Sequence, residues 1–155
     1  MSTRTLCYVV VVLAVLASLA GCAASPGIVS SPDADRQAKL FLSSADTAAI
    51  FVYRDSDWAG GPPLMLVRNG RIATWTWPGY FVLFEVPPGP QSLLSLGGAN
   101  VASLTINAEP GRVYYVSQEP TSGWSRTIDR TELYQVDAER GRDRVLKSKR
   151  LRAND

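Results

Sequence analysis

The most constraining feature of this sequence is a series of short β-type segments between Thr47 and Val136, each closed by turn-forming residues. The segments are rich in β-branched and aromatic residues, which is typical of half-buried strands. They occupy residues 48–54, 64–68, 71–77, 80–86, 91–96, 101–107, 112–118 and 131–136. No long helical period separates them. This spacing predicts an all-β fold, an antiparallel β-sandwich of about seven to eight strands with short flanking helices.

Two local signals refine this arrangement. Asn69 and Gly70 separate two of the segments and predict a tight hairpin, because both residues tolerate the positive φ of a type I′ turn. Segment 48–54 is apolar on both sides, so we expect it at the centre of a sheet. Large aromatic residues in the segments, namely Trp75, Tyr80, Phe84 and Tyr115, are expected to fill the core.

The N-terminal region has a different pattern. Arg4 is followed by an apolar run over residues 6–19 and then by small residues, which is the pattern of a secretory signal peptide. A transmembrane helix needs about 20 apolar residues, and this run is shorter. The pattern therefore predicts that the chain is exported and that the run is a leader.

Leu19, Ala20 and Gly21 stand directly before Cys22, and this arrangement resembles the lipobox of bacterial lipoproteins. The resemblance implies that residues 1–21 are a signal peptide removed by a dedicated peptidase. It also implies that the Cys22 sulfur carries a diacylglyceryl group and that the new amine receives a further acyl chain such as palmitate. Ala23, rather than an aspartate retention signal, follows the cysteine. By the same resemblance the protein is anchored in the outer membrane and faces the periplasm.

After Cys22 the sequence predicts a tether and then one domain. Residues 22–35 are expected to form the lipidated cysteine and a flexible tether, because Ser, Pro, Gly and Asp are frequent there. Residues 36–155 are expected to form the β-sandwich domain with a basic C-terminal segment. Ala38, Phe41 and Leu42 have the spacing of one helical face, which predicts a short helix over residues 36–44. A membrane-surface helix is the alternative for this stretch.

The C-terminal segment is rich in charge. Seven Lys or Arg residues lie between Arg140 and Arg152, against one acidic residue, Asp143. We expect a short helix or extended arm that lies over the sandwich. The charges are interpreted as a solvated face, with binding of lipid phosphates as the alternative.

The composition argues against catalysis. The 155 residues include no histidine, which removes the commonest metal ligand and general base. Cys7 leaves with the leader and Cys22 is lipidated, so no thiol remains for a disulfide. Carboxylates are scattered, and no nucleophile motif is present. With a net charge of +2, we predict no enzyme, no catalytic or metal-binding residues, no cofactor and no nucleic-acid partner.

An ordered set of short motifs carries a family resemblance. They occupy residues 38–41, 49–55, 68–70, 80–81, 85–89, 108–116, 123–125 and 133–141. Together they resemble bacterial lipoproteins of the domain-of-unknown-function family 2846. The resemblance implies an all-β lipoprotein and brings no catalytic residues. The family usually has His or a similar residue where this chain has Gln91, which argues against an essential imidazole.

Two functional hypotheses follow. The first is a non-catalytic envelope lipoprotein, attached to the membrane by its lipid, that serves as a structural or protein-interaction module. The second is a module that binds glycan, peptidoglycan or a small ligand through the loop aromatics Trp58 and Trp124, since exposed aromatic rings suit such ligands. In either case the expected partners are the membrane and an envelope protein or glycan.

Overall fold

The computed structural model describes residues 29–56, 61–122 and 128–154. Within these ranges it contains nine strands in two sheets and two short helices. In chain order they are α1 (Pro32–Ala38), β1 (Ala48–Tyr53), β2 (Leu64–Arg68), β3 (Arg71–Thr76), β4 (Tyr80–Val86), β5 (Gly89–Leu96), β6 (Val101–Ala108), β7 (Val113–Ser122), β8 (Ile128–Val136), α2 (Ala138–Lys147) and β9 (Lys149–Arg150). The predicted all-β sandwich with short flanking helices is confirmed.

The strand pairing differs from the prediction in one respect. One sheet has the order β8-β7-β1-β4-β9, and the other has the order β3-β2-β5-β6. The four-stranded sheet is antiparallel throughout. The five-stranded sheet is mixed, because β1 pairs with β7 and β4 pairs with β9 in parallel. Parallel neighbours need a long crossover, and here the chain between β1 and β7 supplies one by building the whole second sheet.

The five-stranded sheet is buried on both faces. Its inner face packs on the four-stranded sheet, and Ile50 and Phe84 share one buried cluster with Leu93 of that second sheet. Its outer face is covered by the helices, around Phe51 and Tyr115. All six residues of β1 are buried, which confirms the expected central position. The domain therefore has three layers, with the helices on one side of a two-sheet sandwich.

The hairpin between β2 and β3 forms at the predicted residues. Asn69 has φ of 48° and Gly70 has φ of 78°, so both adopt the left-handed region. The Asn69 side chain also accepts a hydrogen bond from the Ser92 amide (2.9 Å) and donates one to Gln91 (2.9 Å). The turn is thereby fastened to β5.

Gly70→Val is expected to destabilise the domain by about 1 to 2 kcal/mol, because a β-branched residue resists positive φ. A Cβ at this position meets no atom within 4 Å, so the cost is conformational and not steric. Urea unfolding followed by circular dichroism measures it. Thr105→Val, which introduces the same side chain at an exposed strand position of unbroken register on β6, serves as the control. Equal unfolding midpoints for Gly70→Val and the wild type would contradict the left-handed turn.

Helix α1 lies earlier in the sequence than predicted. The helix was expected over residues 36–44, but it begins at Pro32 and ends at Ala38. Ser31 caps it by accepting a hydrogen bond from the Ala34 amide (3.3 Å), and proline suits the first helical position. The flexible tether expected over residues 22–35 is corrected for its last part, because residues 32–35 lie in α1 and Val29 already pairs with Leu151. Residues 22–28 lie outside the described ranges.

Phe41 explains why the helix stops. It adopts φ of 55°, a left-handed value that is unusual for a bulky residue. This turn directs its ring into the outer core, where the ring centroids of Phe41 and Phe51 are 5.3 Å apart. Burial of the ring offsets the backbone strain.

Helix α2 confirms the helical interpretation of the C-terminal segment. Asp137 caps it by accepting a hydrogen bond from the Arg140 amide (2.8 Å). Its basic side chains have partners within the domain: Arg144 pairs with Asp55 (2.8 Å), and Arg142 lies 4.5 Å from the ring centroid of Phe41. These contacts hold the helix on the sheet.

The predicted core aromatics fall into two groups. Phe84 and Tyr115 are buried, and Tyr80 is partly buried against the core. The prediction for Trp75 is wrong, because this residue is 47% exposed. Trp75 lies on an edge strand next to a register shift between Leu66 and Val67, and such an irregularity alters which side chains face the core.

Candidate functional site

The residues predicted from the sequence to carry function lie outside the described ranges. These are the lipobox residues Leu19, Ala20 and Gly21, the lipidation site Cys22, and the loop aromatics Trp58 and Trp124. They therefore remain predictions. The described part of the chain contains no helix long and apolar enough to cross a bilayer. It also contains no group of three or more potential metal ligands.

One described surface surrounds the point where the chain enters the domain. The Ser30 amide donates a hydrogen bond to the Arg150 carbonyl (2.9 Å), so this entry point lies beside β9. We call the surface formed by residues 29–44 and 149–153 the tether-side face. It carries two clefts, of about 380 and 270 Å³, which adjoin because Leu83 and Arg150 line both.

Apolar side chains are unusually exposed on this face. Leu40 is 57% exposed, Leu42 is 74% exposed and Val29 is 43% exposed. The cause is the turn that follows α1: Phe41 points inward, and its two leucine neighbours are left outside. Three of the large exposed apolar residues in the described ranges are thus gathered around one cleft region.

The same face carries an excess of positive charge. Its basic residues are Arg36, Lys39, Lys149, Arg150 and Arg152, whereas its acidic residues are Asp33 and Asp35, with Glu85 at the rim of the larger cleft. Two of the basic residues hold the face together. Lys39 contacts Asp35 (2.8 Å) and the Ser148 carbonyl (2.6 Å), and Arg150 donates to the Ala34 carbonyl (3.0 Å). Arg36, Lys149 and Arg152 are exposed to solvent.

A second polar feature lies inside the sandwich. Thr76 donates to the Gln118 side-chain carbonyl (2.5 Å), and the Gln118 amide donates to Ser95 (2.6 Å). The Ser95 and Thr131 hydroxyls are 2.6 Å apart. All four residues are buried, and they come from β3, β7, β5 and β8. This network therefore joins the two sheets.

Arg54 extends the network towards the loop that follows β1. It is buried, and its Nη1 donates to the carbonyls of Pro62 and Thr76, each at 2.9 Å. Its Nε and Nη2 have no hydrogen-bond acceptor among the described residues. Burial lowers the pKa of Arg54 to about 10, so the guanidinium is still charged at neutral pH and positions the two carbonyls.

The chemistry available to the interior network is limited. Among the described residues, the Ser95 hydroxyl contacts the Gln118 amide and the Thr131 hydroxyl. An activated serine nucleophile needs an adjacent general base, and neither an amide nor a hydroxyl is one at neutral pH. The network is suited to fixing the two sheets relative to each other.

A third polar cluster fastens α2 to the sheet. Glu119 accepts a hydrogen bond from Ser117 (3.0 Å) and lies 3.5 Å from Arg140. Burial, together with the nearby Glu119 carboxylate, raises the pKa of Tyr134 to about 12. The phenol is therefore protonated at physiological pH and acts as a hydrogen-bond donor to the carboxylate.

The fold and these sites define a two-sheet β-sandwich with a helical layer on one face and a basic, partly apolar surface at the chain entry. No family model matches the chain, and no curated protein shows significant sequence similarity to it.

Proposed function

We propose that this chain is a lipid-anchored protein of the bacterial cell envelope, held by Cys22 in the outer membrane with its domain in the periplasm. We further propose that its β-sandwich is a non-catalytic structural or protein-interaction module, and that the chain is an all-β lipoprotein of domain-of-unknown-function family 2846. The observation that carries this proposal is the position of Cys22. It follows the Leu-Ala-Gly triplet and the leader-like run, and it stands seven positions before Val29, the first residue that the structure describes.

The arrangement of the domain supports the non-catalytic part of the proposal. The chain contains no histidine. The buried hydroxyl of Ser95 contacts neutral groups, and Glu119 and Asp55 are engaged by arginines of α2. These polar groups are used to connect sheets and helices, which is what a rigid interaction module requires.

Metabolic labelling tests the anchor. When the chain is expressed in a bacterial host with radioactive palmitate, we expect the wild-type protein to be labelled and to fractionate with the outer membrane. Cys22→Ser removes the acceptor sulfur, so the label should be lost and the protein should remain uncleaved or become soluble. Cys7→Ser, which changes the other cysteine, should leave labelling unchanged. Mature Cys22→Ser protein in the membrane fraction, or unlabelled wild type, would contradict the proposal.

A further inference from the structure

We propose that the tether-side face docks on the anionic surface of the membrane that holds the anchor. In this arrangement Val29, Leu40 and Leu42 enter the boundary between headgroups and acyl chains, and Arg36 and Arg152 contact lipid phosphates. The proposal rests on the lipid anchor proposed above and goes beyond it, because it fixes which side of the domain faces the bilayer.

The first argument is the short length of chain between the lipidated cysteine and the domain. Cys22 and Val29 are seven positions apart, and seven Cα–Cα steps span at most roughly 24 Å. A compact domain of about 125 residues is roughly 35 Å across. The surface around Val29 must therefore stay near the bilayer, whereas the opposite edge, where β6 contacts β8, is held away from it.

The second argument is the exposed apolar surface. Leu40 and Leu42 flank the inward-turned Phe41, and Leu42 is the most exposed large apolar residue in the described ranges. Both leucines line the larger cleft, and Ser30, the neighbour of Val29, lines the smaller one. A water-facing surface gains nothing from this clustering, but an interfacial surface buries it.

The third argument is charge. Arg36 and Arg152 project from the same face and are exposed, and guanidinium groups bind phosphate oxygens strongly. Arg36 is paired with Asp33 on the exposed side of α1, and an exposed ion pair of this kind contributes little, so a phosphate can replace it. On α2, Arg144 and Arg140 are paired with Asp55 and Glu119 of the sheet. Arg152 therefore places an exposed guanidinium on the same face as the leucines.

A fluorescence measurement on the lipidated protein tests the orientation. The protein is reconstituted into nanodiscs of phosphatidylcholine and phosphatidylglycerol, with an environment-sensitive NBD label on Leu42→Cys. The acylated Cys22 sulfur does not react, so the label is unique. We expect blue-shifted emission with several-fold higher intensity. Val101→Cys on β6, whose parent residue is also largely exposed (60%), is the matched control and should show water-like emission. Equal emission at the two positions would overturn the proposal.

Charge reversal tests the phosphate contacts in the same labelled background. Arg152→Glu should weaken the docking equilibrium by at least about fivefold, because each basic residue near an anionic surface contributes a factor of roughly that size. Arg130→Glu, an equal charge change on β8, should leave docking unchanged. Docking should also weaken in discs of phosphatidylcholine alone. No difference between Arg152→Glu and Arg130→Glu would contradict the lipid contact.

The outcomes separate this proposal from the anchor itself. Failure of the wild-type protein to carry acyl chains would refute the anchor before any docking is measured. Lipidated protein with a water-exposed label at position 42 would keep the anchor and refute the docked face. A blue shift confined to discs that hold two or more copies would identify the face as an interface between copies, and would also overturn the proposal.

Discussion

Gly141→Ala is expected to destabilise the domain by about 3 kcal/mol, even though alanine is normally preferred to glycine inside a helix by about 1 kcal/mol. The reason is that α2 packs very closely on β7 at this position. A Cβ on Gly141 would lie 2.3 Å from both Cβ and Cγ of Tyr115. These atoms are at the base of a side chain that is itself packed between rings, so neither can move aside, and the helix must lift from the sheet.

Urea unfolding of the purified protein measures this effect. Leu146→Ala, at a site 53% exposed on the same helix, is the control and should change the free energy of unfolding by no more than about 0.5 kcal/mol. Displacement of α2 from the sheet should also expose Phe41 and Tyr115, and a near-ultraviolet circular dichroism spectrum would show this change. A Gly141→Ala protein as stable as the wild type would mean that α2 does not pack against Tyr115.

Gln118→Leu is expected to destabilise the domain by about 2 kcal/mol. Leucine keeps most of the volume but removes the acceptor for Thr76 and the donor to Ser95, and buried polar groups that lose a partner cost about 1 to 3 kcal/mol each. Thr76 retains the Leu64 carbonyl (3.1 Å) and Ser95 retains Thr131. The expected loss in the free energy of unfolding is therefore closer to that of one lost hydrogen-bond partner than to that of two.

The matched control is Gln135→Leu, the same substitution at an exposed site on β8. It should stay within about 0.5 kcal/mol of the wild type. Chemical denaturation of both variants under the same conditions provides the comparison. If Gln118→Leu were as stable as Gln135→Leu, the buried network would make no net contribution to joining the sheets.

The structural features that were predicted correctly from the sequence are those that depend on residues close together in the chain. The central strand β1 was recognisable because its residues are apolar on both sides, and the hairpin because Asn69 and Gly70 both accept positive φ. Strand partners were not predictable in the same way. The parallel pairing of β1 with β7 depends on which sheet each intervening hairpin joins, and that is decided by packing over the whole domain.

For helix α1 and the buried polar network, too, the local signals were visible in the sequence and the contacts between distant residues were not. Ser31 and Pro32 were the signal for the start of α1, but the spacing of Ala38, Phe41 and Leu42 suggested a later helix. That spacing holds only for a continuous helix, and the turn at Phe41 separates Leu42 from the other two. In the interior, Thr76 and Thr131 have ordinary strand residues as neighbours in sequence, so nothing local indicated that Gln118 and Ser95 would connect them.

The pairing of Val29 with Leu151 has a consequence for how the domain is made. The two residues lie near opposite ends of the described chain. Strand β1 also pairs with a distant segment, because its residue Ala49 lies opposite Val113 of β7, more than sixty positions later. Contacts between residues so distant in sequence form late and slow folding. The sandwich is therefore completed only after nearly the whole polypeptide has been synthesised.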